Sequence, residues 1–199
     1  MKLLIATPAF DPMITAQTYA SAMAMDKCGA EVECYTPNGY TITQARTRIA
    51  RKALDIHADW VMTFDSDMVL RRDTLKNLLS HDKDVVFAYC AKTNKEDDTT
   101  SLAKTGRDNY DLFWTKAELS ELAENGTNLI EVRGGGFGCV LIRTSVFERI
   151  EQPWFNYVWS EKGRKLSEDY FFCTQCRNAG IKLYADTRAR CGHVRQVIV

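Results

Sequence analysis

Two aspartates of this chain are spaced so that they could hold a divalent cation. The triplet Asp65-Ser66-Asp67 directly follows the apolar run from Trp60 to Phe64. In an extended backbone, residues i and i+2 point to the same side, so both carboxylates would face one point at the carboxyl end of a buried strand. Ionised carboxylates at that spacing need a cation, and Mg²⁺ or Mn²⁺ would add substrate phosphates to its shell. The triplet therefore predicts a metal-bound diphosphate, although a plain polar turn could carry the same residues.

A second acidic pair follows Ser167 at the predicted start of an aromatic helix. Glu168 and Asp169 would lie in the first helical turn, where acidic side chains interact favourably with the helix dipole. That structural role is one interpretation. The other is catalytic, because a fixed, ionised carboxylate can take the proton of an acceptor hydroxyl as its oxygen attacks an electrophilic carbon.

A glycine-rich segment and a basic helix are further candidates. Gly134-Gly135-Gly136 would let the backbone pass close to a ligand, or form a tight hairpin. Arg46, Arg48 and Arg51 lie on a helix predicted near the same end of the sheet; they would either be solvated or contact a nucleotide. No Walker loop and no dinucleotide-binding fingerprint is present.

The elements that must position these residues alternate as strand and helix. Short apolar runs predict strands at 2–6, 31–35, 60–64, 85–89, 129–133, 137–142 and 181–185. Helical periodicity and capping residues predict helices at 14–27, 43–56, 74–79 after an Asp73 N-cap, 116–125 after a Thr115 capping box, 145–150 and 168–178. The polar stretch 91–109 is predicted to be a mobile loop. This alternation indicates an α/β fold with a mostly parallel twisted sheet flanked by helices.

The order of the motifs resembles a known family. The chain reads TFDSDMVL after two βα units, then RGGGFGCVLIR, PWF, SEDYFFC and CGH. This series resembles the GT-A glycosyltransferases, particularly the small inverting enzymes of the family-two type, over most of the chain. The resemblance implies a sheet that binds a nucleotide diphosphosugar, and an enzyme that moves the sugar to an acceptor hydroxyl with inversion.

The resemblance also implies roles for individual residues. Asp67 would be the direct metal ligand, Asp65 its partner on metal or ribose, and His193 the late histidine that completes the shell. Because neutral imidazole suits Mn²⁺ better than Mg²⁺, Mn²⁺ is the first expectation. Asp169 would be the catalytic base, with Glu168 in reserve. Donor contacts are expected from the strand ends, the basic helix and the glycine segment: Thr7, Pro8, Arg46, Arg51, Asp65, Ser66, Gly135 and Gly136.

Other functions fit parts of the sequence. Asp65 to Val69 also satisfies the D-x-D-x-V nucleophile pattern of haloacid-dehalogenase-like, Mg²⁺-dependent phosphatases. That family places the motif on its earliest core strand, whereas two βα units precede it here, so the transferase is preferred. A non-catalytic nucleotide-sugar binder stays open until turnover is measured.

Two further groups of residues allow more than one interpretation. Cys173 and Cys176, with Cys191 and His193, have spacings that could hold zinc, but a C-x-x-C inside an aromatic helix favours core packing. The second group would either fill the core or form an acceptor-side platform for sugar rings, and it follows Pro153: Trp154, Phe155, Tyr157 and Trp159.

Composition limits the class of protein. The 199 residues, 45% of them hydrophobic, predict a single domain, with residues 1–90 as a nucleotide-binding half and 91–199 as an acceptor and catalytic half. Equal numbers of acidic and basic residues, 26 each, exclude a global field for polyanions. No apolar run is long enough to span a bilayer. Seven scattered cysteines favour a reduced, cytoplasmic location. The acceptor could be a saccharide, a protein, a lipid carrier or a modified nucleic-acid base, and a homo-oligomer stays open.

Overall fold

The computed structural model describes residues 1–10, 13–90, 98–105, 112–161 and 163–194. Helices, numbered along the chain, are α1 (Ala16–Ala24), α2 (Ile42–Asp55), α3 (Thr74–Leu79), α4 (Lys116–Glu124), α5 (Val146–Arg149) and α6 (Glu168–Asn178). Strands are β1 (Lys2–Ala6), β2 (Glu31–Tyr35), β3 (Trp60–Phe64), β4 (Met68–Val69), β5 (Val85–Cys90), β6 (Thr99–Ala103), β7 (Phe113–Thr115), β8 (Leu129–Val132), β9 (Gly134–Gly135), β10 (Cys139–Arg143), β11 (Val158–Ser160), β12 (Gly163–Leu166) and β13 (Leu183–His193).

The main sheet is mixed, and helices cover both of its faces. Its strand order is β2-β1-β3-β10-β5-β13-β4, with β8 also paired to β13. The strands β2, β1 and β3 are parallel to one another, as the alternating pattern predicted. Strand β10 is antiparallel to both β3 and β5. The α/β class is confirmed, but the sheet is less parallel than predicted because β10 inserts at its centre in the opposite direction.

Two hydrophobic clusters lie on opposite faces of this sheet. One contains apolar residues of α2, α4, α5 and α6, and it is rich in aromatic rings. The other contains Leu75 and Leu78 of α3, with Ala22 and Met25 from α1 and its C-cap. The sheet is therefore buried on both sides, and its strand ends are left as the surface where polar side chains can gather.

Several helix boundaries follow from local capping. Thr41 and Thr115 each form a full capping box, with Gln44 and Glu118 respectively. Helix α1 is shorter than predicted, because Thr15 caps it and it ends at Ala24. Asp73 holds the N-cap position of α3, but its side chain makes no capping hydrogen bond.

Part of the predicted mobile loop is a strand. Residues 99–103 form β6, which pairs with β7 and with β9 in a separate small sheet. The loop prediction is wrong for this segment, because its backbone pairs with β7 and β9, which follow later in the chain. Residues 91–97 and 106–109 of that prediction lie outside the described residues. Strand β13 also continues to His193, well beyond its predicted end.

A buried carboxylate fixes the irregular part of β13. The Asp186 side chain is fully buried, and its Oδ2 lies 2.6 Å from His81 Nε2 and accepts a 2.8 Å hydrogen bond from Arg188. Its Oδ1 accepts from the backbone N–H groups of Arg188 and Ala189. Burial alone would raise the pKa of Asp186, but these hydrogen bonds outweigh burial and lower it below the usual value.

We expect the substitution Asp186→Asn to destabilise the fold by about 3 kcal/mol, because it removes the buried charge with which His81 and Arg188 pair. Since the folded-state pKa is lowered, the contribution of Asp186 is present above the unfolded-state pKa, near pH 4, and is lost as the pH falls through the folded value. Urea denaturation between pH 3 and pH 7 measures both effects. The control is Asp73→Asn, at a half-exposed aspartate. Equal urea midpoints for Asp186→Asn and the wild type would contradict the assignment.

Candidate active site

A buried arginine joins two of the predicted site carboxylates. Arg46 projects from α2 with only 5% of its side chain exposed, and its Nη2 donates to Asp65 Oδ1 at 3.1 Å. Its Nη1 lies 3.1 Å from Glu168 Oε1, at the start of α6. The guanidinium also lies over the Phe137 ring, 4.7 Å from its centroid. Arg46 therefore ties the end of β3 to the first turn of α6.

This ion pairing changes how two predictions are interpreted. The solvated helix position considered for Arg46 is wrong, because the side chain is buried. Glu168 is 7% exposed and faces Arg46, so it is better suited to a structural role than to proton transfer. Burial raises the pKa of Asp65, with further increases from Asp67 and Asp169, whereas Arg46 opposes them.

Asp67 and His193 come together although they are far apart in sequence. Strand β4 pairs antiparallel with the end of β13, which places His193 opposite Met68. The Nε2 of His193 lies 2.8 Å from Asp67 Oδ2, and both side chains are partly exposed. The Val194 N–H also donates to the Asp67 carbonyl oxygen at 2.8 Å. The structure thus brings this predicted ligand pair into direct contact.

The donor set fits a divalent cation in part. Asp67 and His193 offer one oxygen and one nitrogen at the same point, whereas Asp65 Oδ1 is directed at Arg46. Within the described part of the chain, no three carboxylate, imidazole or thiol groups are arranged to hold a metal. A cation on Asp67 and His193 would therefore complete its shell with water and diphosphate oxygens, as Mg²⁺ and Mn²⁺ commonly do.

Asp169 lies in the first turn of α6 with its two oxygens in different surroundings. Its Oδ1 accepts hydrogen bonds from the Ser167 hydroxyl and, at 2.8 Å, from the Tyr170 N–H. Its Oδ2 lies 3.4 Å from the point where a Cβ on Gly136 would stand. Asp169 also contributes to the electrostatic environment of Asp65. One oxygen is thus fixed, and the other borders the glycine segment.

The glycine segment is a strand beside β6. A Cβ on Gly135 would lie 2.8 Å from the Phe87 ring, and one on Gly136 would lie 2.9 Å from Ser101 Cβ. Packing against Phe87 therefore explains the glycine at position 135, which β9 places opposite Leu102 of β6. Gly136 separates Ser101 from Asp169. The tight hairpin considered for this segment is wrong.

The remaining predicted donor contacts fall into two groups. Thr7 and Pro8 are buried at the end of β1, where the Thr7 N–H donates to the Tyr35 carbonyl at 3.1 Å. The Ser66 carbonyl accepts from the Thr15 N–H at 3.0 Å, so it lies against the start of α1. These three residues share the edge that carries Asp65. Arg51 instead lines a surface cavity of about 580 Å³ along α2, whose lining includes neither Asp65 nor Asp67.

The cysteines do not assemble the zinc constellation. Cys173 and Cys176 are buried in the aromatic cluster, whereas Cys191 lies in the cluster on the other face of the sheet. Burial raises the pKa of the Cys173 thiol to about 12, so it is a poor metal ligand at neutral pH. Core packing is the correct interpretation of this helical pair.

A family model shows where the chain belongs. The model named Anp1 matches residues 27–148. The chain belongs to the Anp1 family. The match includes Asp65, Asp67 and the glycine segment, and it ends before Asp169 and His193. No curated protein sequence matches the chain.

Solved structures share the fold of this Anp1 family member at low sequence identity. A197 from STIV is 16% identical with a TM-score of 0.60, over 98% of this chain and 87% of that one. GalNAc-T7, solved with UDP, GalNAc and Mn²⁺, is 14% identical with a TM-score of 0.63, over 99% of this chain and 44% of that one. S. aureus TarS 1–349, in complex with UDP-GlcNAc, is 12% identical with a TM-score of 0.56, over 100% of this chain and 60% of that one.

These findings confirm the GT-A fold and the resemblance to GT-A glycosyltransferases. As an Anp1 family member with this fold, the chain is a glycosyltransferase. The phosphatase alternative loses its support, because the fold is that of the GT-A glycosyltransferases and the Asp65-Ser66-Asp67 triplet follows the third strand. None of the described helices is long and apolar enough to cross a membrane.

Sequence reasoning missed several residues that organise the site. The bridging role of Arg46 was not predicted, and neither was the contact of its guanidinium with Phe137. The Tyr170 hydroxyl donates to the Ser101 carbonyl at 2.6 Å, which joins α6 to β6. One signal could have indicated the burial of Arg46. It lies on the same helix face as Ile49, Ala50 and Ala53, and those residues face the core.

We expect Arg46→Met to destabilise the protein by about 3 kcal/mol or more, since Glu168 and Asp65 lose the cation between them. The double variant Arg46→Met/Glu168→Gln should recover part of this loss, because contacting residues are energetically coupled. Urea denaturation at neutral pH measures each variant, and Arg51→Met is the control from the exposed side of α2. Additive losses in the double variant would refute the bridge.

Proposed function

We propose that this protein transfers a sugar from a nucleotide diphosphosugar to an acceptor hydroxyl, with a divalent cation and with inversion. The observation that carries the proposal is the meeting of Asp67 with His193 at the same sheet edge as Asp65. Open α/β sheets bind ligands at this edge. The complexes of GalNAc-T7 with UDP and Mn²⁺ and of TarS with UDP-GlcNAc support this donor class.

In this proposal, Asp67 and His193 hold Mn²⁺ or Mg²⁺. When bound, the cation neutralises charge that develops on the leaving diphosphate. Arg46 favours the ionised form of Asp65, against the effect of burial, and holds its carboxylate in place beside that charge. The ends of β1 and β3 would contact the nucleotide through Thr7, Pro8 and Ser66. Arg51 lies outside the sheet edge that carries these three residues, so it would contact the nucleotide only from there.

Asp169 acts as the general base in the same proposal. The Ser167 hydroxyl and the Tyr170 N–H fix its Oδ1, so its Oδ2 is the oxygen that takes the acceptor proton. The absence of a side chain on Gly136 leaves space beside that oxygen. A single base on the face opposite the leaving group gives inversion, because the acceptor oxygen attacks from that side.

The proposal also covers the cellular compartment and the roles of the two halves of the chain. All seven cysteines are free, which fits a reduced, cytoplasmic compartment. Residues 1–90 would bind the nucleotide, and residues 91–199 would bind the acceptor and supply the base. The proposal leaves a homo-oligomer open.

A thermal-shift screen of UDP-, GDP-, ADP- and dTDP-sugars, with and without Mn²⁺, tests the donor and metal assignments. A donor at a hundred times its Kd would stabilise the fold by about 2.7 kcal/mol. We expect that shift to need Mn²⁺ and to vanish in Asp67→Ala, with Asp73→Ala as the unaffected control. A Mn²⁺-dependent shift that persists in Asp67→Ala would remove Asp67 from the metal site, and no shift with any donor would refute the function.

The substitution Asp169→Asn tests the base. We expect donor binding to persist while release of nucleoside diphosphate falls by about 10² or more, the scale of a lost general base. Calorimetry with the donor measures binding, and a coupled phosphate assay measures release. Near-normal release by Asp169→Asn would assign the base role to another residue.

A further inference from the structure

The surface cavity along α2 is separate from the candidate active site. Its volume is about 580 Å³, within the range of about 300 to 1,000 Å³ that small-molecule sites occupy. A helix turns by about 100° per residue, so Arg48 and Arg51, which line this cavity, are rotated by about 200° and 140° from Arg46. Because Arg46 pairs with Asp65 and Glu168, the other two arginines lie on the side of the helix away from that pair.

Three cations gather on this side of α2. Arg51 and Lys52 follow Arg48 by three and four positions, so the three side chains are neighbours on the helix surface. The Nζ of Lys52 lies 2.5 Å from Glu33 Oε1, which neutralises that charge. Within the described ranges, no carboxylate lies within ion-pair distance of Arg48 or Arg51. With Asp55, which also lines the cavity, two carboxylates balance three cations only in part.

This arrangement favours a bound anion. Like charges three or four positions apart repel each other and destabilise a helix, and an anion between them would remove that repulsion. The first turn of α2 also lines the cavity, through Thr43 and Gln44, and it carries no acidic residue. The helix dipole at that turn therefore adds to the attraction for negative charge.

Aromatic side chains hold Arg48 and supply apolar surface. The guanidinium carbon of Arg48 lies 3.9 Å from the centroid of the Tyr40 ring, in a cation–π contact that limits its motion. The N–H groups of a guanidinium form a planar fork that matches two oxygens of a phosphate. Tyr35 and the buried Phe155 line the same cavity and can contact an organic group. The cavity thus combines a phosphate-binding part with an apolar part.

The rest of the chain favours a small ligand over a polynucleotide. The 26 acidic and 26 basic residues cancel, so there is no long-range field that would attract a strand of many phosphates. The unpaired positive charge is instead confined to one cavity on α2, whose volume suits a single small molecule.

We propose that this cavity binds a small phosphorylated molecule, with its phosphate on Arg48 and Arg51 and its organic group against Tyr35 and Tyr40. The site is separate from the sheet edge that carries the candidate metal pair, and it needs no divalent cation. The inference does not rest on the proposed function, which uses only Arg51 from this cavity, so the test is built on Arg48.

Calorimetry on the full chain, in EDTA and without added metal, tests the site with uridine monophosphate, adenosine monophosphate and inorganic phosphate. We expect at least one nucleotide to bind more tightly than inorganic phosphate, because it also contacts the aromatic side chains. Its affinity should fall about tenfold in Arg48→Gln, the scale of a lost charge-assisted hydrogen bond, and less in Arg48→Lys, which keeps the charge. Arg72→Gln, at an exposed arginine outside the cavity, should keep the full affinity, and so should Asp67→Ala.

The remaining outcomes would overturn the site. No binding of any probe, or equal affinities for wild type and an Arg48→Gln variant with an unchanged melting temperature, would do so. Loss of binding in Asp67→Ala would place the nucleotide at the candidate active site instead. An oligothymidylate that binds more tightly than either mononucleotide would replace the small ligand by a polynucleotide. Since the probes are used without metal, a failure here leaves the Mn²⁺-dependent donor shift of the proposed function standing, and the reverse holds as well.

Discussion

The arrangement of this site depends on one buried guanidinium. Asp65 follows β3, whereas Glu168 and Asp169 belong to the first turn of α6, about a hundred residues later, and like charges gathered at one edge would repel one another. Arg46 neutralises that repulsion by pairing with Asp65 on one side and Glu168 on the other. Its contact with Phe137 extends the same constraint into the aromatic cluster. The position of the candidate base relative to the candidate metal pair is therefore set by a residue that performs neither role.

Much of the scaffold could be predicted because its signals are local. The first three strands have the predicted bounds: β1 and β3 are short runs of buried apolar residues, and β2 follows from its place in the strand–helix alternation, since its residues are only partly buried or exposed. The capping box at Thr115 and Glu118 likewise starts a helix where it was expected. Among the site residues, Asp67 and His193, which the order of motifs predicts as metal ligands, lie in direct contact. Asp65 faces Arg46 instead of joining that pair, which neither spacing nor motif order could show.

The features that escaped prediction depend on partners distant in sequence. The direction of β10 is decided by its neighbours β3 and β5, while its own residues are compatible with either direction. Strand β6 begins with three polar residues, so its composition does not predict a strand. Its pairing with β7 and β9 stabilises the extended backbone. An arginine on an amphipathic helix is ordinarily placed in solvent, and here ion pairs with Asp65 and Glu168, together with the contact with Phe137, compensate the burial of Arg46. Tertiary electrostatics thus decided the outcome at Arg46.

The pairing of β4 with β13 has a thermodynamic consequence. Asp67 and His193 are 126 positions apart, so a ligand held by both can bind only when the strands between them are in place. Fraying of β13 alone would abolish the affinity for that ligand, because the His193 side chain would be displaced. Occupancy at this pair should therefore slow amide exchange along β13 and in its neighbour β5, beyond the residues that contact the ligand.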